Sequence, residues 1–336
     1  MKTLLIFPAQ WYPTQPYLST PYLTAFLQDK GWQVSQRDFN IESYDHFLSA
    51  PLLRQAEDLL KAQQQSLKAQ SSLSIKEKSH LDVLSMGLKF SDRIIDGVEE
   101  AKSVMRTPER FFDFGAYQQA DMVIKSALKL VSDAHAPAIL SMSTFESGTR
   151  AEESTRKAHE STRDKATNPF INLYENVLLS TENWQEYDVV GISIVGISQI
   201  IPGLTLARMI KEKYPHLHIT LGGPIFSVNA GQLIGHPEFF DDFCHSVVTF
   251  EGEEPMHRLL SALKAGDSLF TVPNLLHLDD GREVVQNKER VELRFEELPN
   301  PDFEGLPMDK YLSPYPILPV LQSRGCYWGK CTFCTH

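Results

Sequence analysis

The clearest pattern along the chain is a set of short apolar runs that do not alternate. Thr3-Leu-Leu-Ile-Phe7 is the first, and Pro8 ends it. A run without alternation is expected of a strand covered on both faces, as in a parallel sheet under helices. Such runs return at Tyr187-Asp-Val-Val-Gly-Ile-Ser-Ile-Val195, Leu217-His-Ile-Thr-Leu221 and Ser246-Val-Val-Thr-Phe250. Trp32-Gln-Val-Ser-Gln-Arg-Asp-Phe39 alternates and reads as one more strand. Helices fill the gaps. Pro21 to Lys30 carries proline in its first turn and is closed by Gly31, Ile201 to Tyr214 is a second helix, and another follows Glu251-Gly-Glu-Glu-Pro255 to about Ala265. Strands alternating with helices predict an α/β fold, a doubly wound parallel five-stranded sheet of the Rossmann or flavodoxin-like kind.

From about Ile41 to Glu186 the pattern changes. Leu52-Leu53, Leu59-Leu60, Val83-Leu84 and Ile94-Ile95 recur among Lys, Glu and Gln at helical spacing, which predicts a large helical insertion. Within it Ser143 to Thr167 is rich in Ser, Thr, Arg and Glu and reads as a mobile or solvated loop. The charges of the insertion read as solvated helix faces, and none is assigned a catalytic role. After the fifth strand, Val272 to Val285 reads as a hairpin turning at Asp280-Gly281. Leu298 to Pro307 reads as an extended, proline-rich linker, and Pro316-Ile-Leu-Pro-Val-Leu-Gln322 as a last buried strand. The expected organisation is an α/β domain from 1–40 and 187–266, the insertion at 41–186, hairpin and linker at 267–312, and the start of another domain at 313–336.

A length of 336 residues suits about two domains, and 42% apolar with 22% charged residues describes a globular, soluble body. The net charge of −11 argues against a nucleic-acid backbone or an anionic membrane as the main partner. No apolar run approaches the roughly 20 residues of a membrane span. The start reads as a strand rather than a signal peptide. Only Cys244 lies outside the terminal cysteine run, so a reduced, cytoplasmic protein is expected.

The candidate chemistry sits at the end, in Leu321-Gln-Ser-Arg-Gly-Cys326-Tyr-Trp-Gly-Lys-Cys331-Thr-Phe-Cys334-Thr-His336. Three thiols spaced C-x4-C-x2-C cannot all pair into disulfides, but thiolates can hold zinc or an iron–sulfur cluster. Gly325 and Gly329 let the backbone fold back between them. Cys326, Cys331, Cys334 and His336 could also form a Cys3His zinc site, although zinc ligands more often come as two separated pairs. Further upstream, the loops Ala9 to Tyr17, Gly196 to Gln199, Gly222 to Pro224 and Glu251 to Glu254 all follow strands, at the edge where doubly wound sheets bind ligands. The first of them lacks both the G-x-G-x-x-G and the G-x-x-x-x-G-K-[ST] phosphate-binding patterns.

The cysteine loop, with an apolar run before it and Phe333 just before the last cysteine, resembles the cluster-binding loop of radical SAM enzymes, whose usual spacing is C-x3-C-x2-C. The ordered set Ser193, Ser198, Gly222-Gly223 and Glu251-Gly252-Glu253 is similar to the cobalamin-binding domain that precedes the barrel in cobalamin-dependent members. The resemblance covers roughly 1–40 and 187–336. It implies that Cys326, Cys331 and Cys334 ligate three irons of a [4Fe-4S] cluster, with the fourth iron open to S-adenosylmethionine, and that Phe333 lies near the adenine. It implies cobalamin contacts among Gln10, Ser193, Ser198, Gln199, Gly222, Gly223, Pro224, Glu251, Gly252 and Glu253. Glycines would let the flat corrin lie against backbone, and small hydroxyls would bond its tail. The D-x-H-x-x-G motif is absent, and the first loop offers Gln10, Trp11, Tyr12 and Gln15 but no histidine for cobalt.

The resemblance also implies methyl transfer to an unactivated carbon through a deoxyadenosyl radical, with an electron donor for the cluster. The chain would then be the N-terminal part of a longer enzyme, truncated before its barrel and inactive alone. Two alternatives stay open: a cobalamin-binding module without chemistry of its own, and a zinc-stabilised binding protein.

Overall fold

The structure is a computed structural model, and it describes residues 1–148, 154–326 and 328–332. Strand β1 (Lys2–Phe7) is buried from its second residue onward. Helix α1 (Ser19–Asp29) leads through Gly31, at φ +84°, into β2 (Gln33–Asp38). The two strands pair in parallel, from Lys2 opposite Gln33 to Phe7 opposite Asp38. Five helices follow: α2 (Phe39–Phe47), α3 (Ala50–Lys68), α4 (Ile75–Arg106), α5 (Pro108–Phe111) and α6 (Phe114–Ala134). The two longest, α4 and α6, open on a side-chain cap. A capping box between Ser74 and Glu77 opens α4, and the Asp113 carboxylate accepts from the Ala116 N–H at 2.8 Å to open α6.

A two-residue ladder of β3 (Ile139–Leu140) and β4 (Phe145–Glu146) precedes α7 (Thr155–Ser161) and α8 (Pro169–Asn176). The parallel pattern then resumes with β5 (Val189–Ser193), α9 (Ile200–Lys213) and β6 (His218–Gly222). Helices α10 (Pro224–Leu233) and α11 (Pro237–Phe243), strand β7 (Ser246–Val248) and helix α12 (Glu253–Ala265) complete it. The hairpin of β8 (Leu275–Leu278) and β9 (Val284–Gln286) comes last.

These strands form one sheet in the order β2-β1-β5-β6-β7-β8-β9. The five strands read from the apolar pattern are its five parallel members. The sheet nevertheless has seven strands rather than five, because the hairpin read as part of a connector adds antiparallel to β7. The open backbone of β7 and the fully buried Leu275 and Leu276 account for the docking. Successive residues of β1 face opposite layers. Leu4 and Ile6 join one apolar core, and Leu5 joins a second with Phe26, Leu27, Val189 and Leu260.

The helical insertion shares the first of these cores. Tyr44, Leu60, Leu84, Ile124, Phe170 and Tyr174 belong to the same cluster as Leu4 and Leu206. Ser143 to Thr167 corrects the sequence reading: β4 and α7 lie within it, and Ala158, Ser161 and Thr162 are buried. Ser154 caps α7, and Arg163 pairs with Glu212 at 2.9 Å, so these polar side chains have structural partners.

Two further corrections concern the C-terminal quarter. The proline-rich linker is a fastened strap. Gln36 donates to the carbonyls of Asp302 and Glu304 at 2.8 and 2.9 Å, the Asp302 N–H donates to Pro21 at 3.1 Å, and the Leu312 N–H donates to Pro13 at 2.8 Å. Proline removes donors from such a stretch but leaves its carbonyls free to be held from outside. Pro316 to Gln322, by contrast, is no strand, and Ile317, Leu318 and Val320 are 42, 53 and 79% exposed. A strand needs a neighbour for its backbone, and the two open edges of the sheet, β2 and β9, do not take it. Among the described residues no helix is long and apolar enough to cross a membrane.

Candidate functional site

In the order β2-β1-β5-β6-β7 the connections reverse between β1 and β5, which opens a crevice at the carboxyl end of those strands. The loops after β1, β5, β6 and β7 surround it. The structure gives the residues expected there quite different duties.

Gln10 is 1% exposed, and its amide N–H donates to the Ser141 carbonyl at 2.6 Å and to the Tyr44 hydroxyl. Tyr44 in turn donates to the Met142 carbonyl at 2.7 Å, so the β3–β4 turn of the insertion is locked onto the loop after β1. Gln199 is fully buried. Its N–H donates to the Pro8 carbonyl at 2.8 Å, and its oxygen accepts from the Val195 N–H at 2.9 Å. That side chain clips the two lips of the crevice together. Both glutamines are therefore occupied by the chain itself.

Gly223 is likewise fixed by its surroundings. Its φ is +116°, and a Cβ there would lie 2.1 Å from the Ile194 carbonyl oxygen. Pro224 opens α10. At Gly222 a Cβ would meet nothing closer than 3.6 Å. The Ser193 and Ser198 side chains hold no hydrogen bond within the described chain, and they flank the end of β5. Of the expected cobalamin contacts, these two hydroxyls are the ones without a partner in the described chain, whereas the Gly222 carbonyl already accepts from the Ile194 N–H at 2.8 Å. Small hydroxyls of this kind can bond the polar tail of a corrinoid.

The acidic pair after β7 has a partner that sequence reading missed. Glu253, 3% exposed at the start of α12, faces Arg324: Nη1 stands 3.1 Å from one carboxylate oxygen, and Nη2 bonds the other. Arg324 also lies 3.2 Å from Glu251, whose carboxylate accepts from the Leu293 N–H at 2.8 Å. The guanidinium sits 6.0 Å from the Tyr22 ring of α1. A Cβ on Gly252 would press on Leu23 at 3.3 Å. Burial alone would lower the basicity of Arg324, but the two carboxylates outweigh it and raise its pKa.

Arg324 stands two residues before Cys326. Both Cys326 and Cys331 are exposed free thiols. The N–H groups of Gly329 and Trp328 hold the Cys326 thiol below its ordinary pKa, which favours the thiolate that ligates metal. Gly325 and Gly329 have φ of +74° and +57°, the left-handed turns expected of them. Phe333, Cys334 and His336 lie outside the described residues. Among the described residues no three His, Cys, Asp or Glu gather into a metal-binding group. By donor chemistry and exposure the two described thiols fit a thiolate-bound iron–sulfur cluster as well as zinc.

Two more groups at this edge were not foreseen. Asp38, at the end of β2, is 2% exposed, accepts from the Ile41 N–H at 3.0 Å and from the Tyr311 hydroxyl at 2.5 Å, and so holds the strap. Burial pushes its pKa up to about 6. Phe7 stacks on Tyr17 at 5.0 Å, with Trp11 edge-on to Tyr17 at 5.3 Å. The aromatic content of the loop was visible in sequence, but its packing was not.

Fold and edge together define a doubly wound α/β protein in which Arg324, two residues before Cys326, is held at the carboxyl edge of the sheet. No protein-family model matches the chain. It is 28% identical over 149 residues to an uncharacterized methyltransferase, PH0819, of Pyrococcus horikoshii, a stretch that covers 44% of this chain and 31% of that protein. It is similar at TM-score 0.36 and 13% identity to the radical S-adenosylmethionine methyltransferase TsrM of Kitasatospora setae with cobalamin and a [4Fe-4S] cluster bound, covering 89% of this chain and 31% of that one. For TsrM with tryptophan substrate and a SAM analogue the TM-score is 0.33 and the identity 12%, over 84% of this chain and 29% of that one.

Proposed function

We propose that the chain is the cofactor-holding part of a cobalamin-dependent radical SAM methyltransferase. The observation that carries this reading is the attachment of a C-x4-C-x2-C loop to the ligand edge of a doubly wound sheet, through Arg324 and the Glu251–Glu253 pair. The methyltransferase relative is consistent with it.

In this reading Cys326, Cys331 and Cys334 hold the cluster, and Phe333 borders the SAM adenine. When bound, the cluster and SAM supply a carbon radical and the cobalamin supplies a methyl group. Ser193 and Ser198 bond the polar tail of the cobalamin, and Gly222 lets it approach the backbone. Gln10, Gln199, Gly223 and Pro224 keep the crevice in shape rather than touching the ligand, and Glu251, Gly252 and Glu253 hold the cysteine loop. With no histidine in the first loop, the protein supplies no nitrogen to cobalt there.

Anaerobic reconstitution with iron, sulfide and hydroxocobalamin, followed by desalting, a visible spectrum and metal analysis, tests the reading. Retained corrinoid bands with brown, iron- and sulfide-containing protein are expected. Replacing Cys331 by Ala removes the iron and leaves corrinoid retention unchanged. A colourless product that retains zinc and no corrinoid overturns the proposal.

A further inference from the structure

We infer that Arg324 is a positioning residue that fixes the cysteine loop against the sheet edge. This rests on the reading above only in what the cysteines hold. The geometry is specific to a guanidinium. Its two terminal nitrogens face both oxygens of Glu253, with Nη1 3.1 Å from one of them, and Glu251 approaches at 3.2 Å. A forked pair of this kind sets orientation as well as distance, which a single ammonium does not.

The anchor on the other side is rigid. Glu253 opens α12, which packs in the second core through Met256, Leu259 and Leu260, and it is almost fully buried. Glu251 is tied through the Leu293 N–H to the segment after β9. Tyr22, 7% exposed in α1, borders the guanidinium. Three separate parts of the α/β body thus converge on one side chain. Among the described residues, those around Arg324 have no comparable hold. Val320 is 79% exposed, and Cys326, Trp328 and Cys331 are exposed. Cys326 and Cys331 therefore take their place relative to the β7–α12 loop from Arg324, one left-handed glycine away from the first thiol.

The test is hydrogen–deuterium exchange on the whole chain, with Arg324→Lys and Glu253→Gln, followed by anaerobic iron and sulfide loading of each. In Arg324→Lys, amides in peptides spanning 318–332 are expected to exchange at least about tenfold faster, while peptides of β1 and β5 keep their native rates. Glu253→Gln, which keeps Glu251 to hold the guanidinium, is expected to accelerate the same peptides by a smaller factor. In iron-loaded Arg324→Lys the g-values of the reduced cluster shift at unchanged iron content. Native exchange in 318–332 of Arg324→Lys overturns the inference, and so does equal acceleration throughout the sheet. Failure of the native chain to take up iron refutes the radical SAM reading alone, because the exchange result does not depend on metal.

Discussion

Two stretches of this chain carry nearly the same apolar signature and meet opposite fates. Leu4 to Phe7 is at most 2% exposed and lies between β2 and β5. Pro316 to Gln322 also carries Ile317, Leu318, Val320 and Leu321, yet it lies open along the surface with Val320 79% exposed. The difference is one of partners. A buried strand needs a neighbour for its backbone on each side and a cover for each face, and β1 finds all four within the chain. An apolar run states what a segment tolerates; the rest of the chain decides whether it is buried.

The contrast can be broken most sharply at glycine. Gly223→Ala must place a Cβ against the Ile194 carbonyl at φ +116°, whereas Gly325→Ala, at φ +74°, meets nothing within 4 Å. The first is expected to destabilise by roughly 4 kcal/mol, combining backbone strain with overpacking, and the second by about 1 kcal/mol. Urea unfolding of both variants checks this, and equal losses would mean that the cysteine loop is packed as tightly as the sheet.

Side-chain truncation sharpens the same contrast. Leu4→Ala removes a fully buried side chain and is expected to cost about 3 kcal/mol. Val320→Ala should change stability by less than about 0.5 kcal/mol. A large loss at Val320 would show that the apolar stretch is covered in solution.

The parallel strands were legible because burial on both faces leaves an unbroken apolar run, and the capped helices because their start signals are local. What escaped was every feature built by distant partners. The hairpin at 275–286 reads correctly as a hairpin, but its docking on β7 depends on an open edge about thirty residues earlier. Glu251 and Glu253 were noticed as an ordered acidic motif at the right edge, and their partner Arg324 was in plain view beside the cysteines. Nothing local connects residues 71 apart in sequence. Gln10 and Gln199 lie in the loops after β1 and β5, and sequence cannot distinguish an amide that bonds a ligand from one that bonds its own backbone.

The smallest expected effect separates the strap from the exposed stretch that follows it. The strap is held partly by Asp38, whose carboxylate burial pushes up from 3.8 to about 6. The folded protein therefore binds this proton more tightly than the unfolded chain does. Between those two values the native state carries more protons, so the contribution of Asp38 to stability falls as pH rises through the window and is flat above about 6. This is opposite to the usual carboxylate, which gains stability with rising pH. Measured against Asp38→Asn, which cannot titrate, the native protein should lose roughly 2 kcal/mol across the window. The Tyr311 hydroxyl opposes the shift by stabilising the ionised form, so in Tyr311→Phe the upper end of the window should move to higher pH. A native curve that stays level with Asp38→Asn would mean that the carboxylate is solvated and that the strap is held by its bonds to Gln36, Pro21 and Pro13 alone.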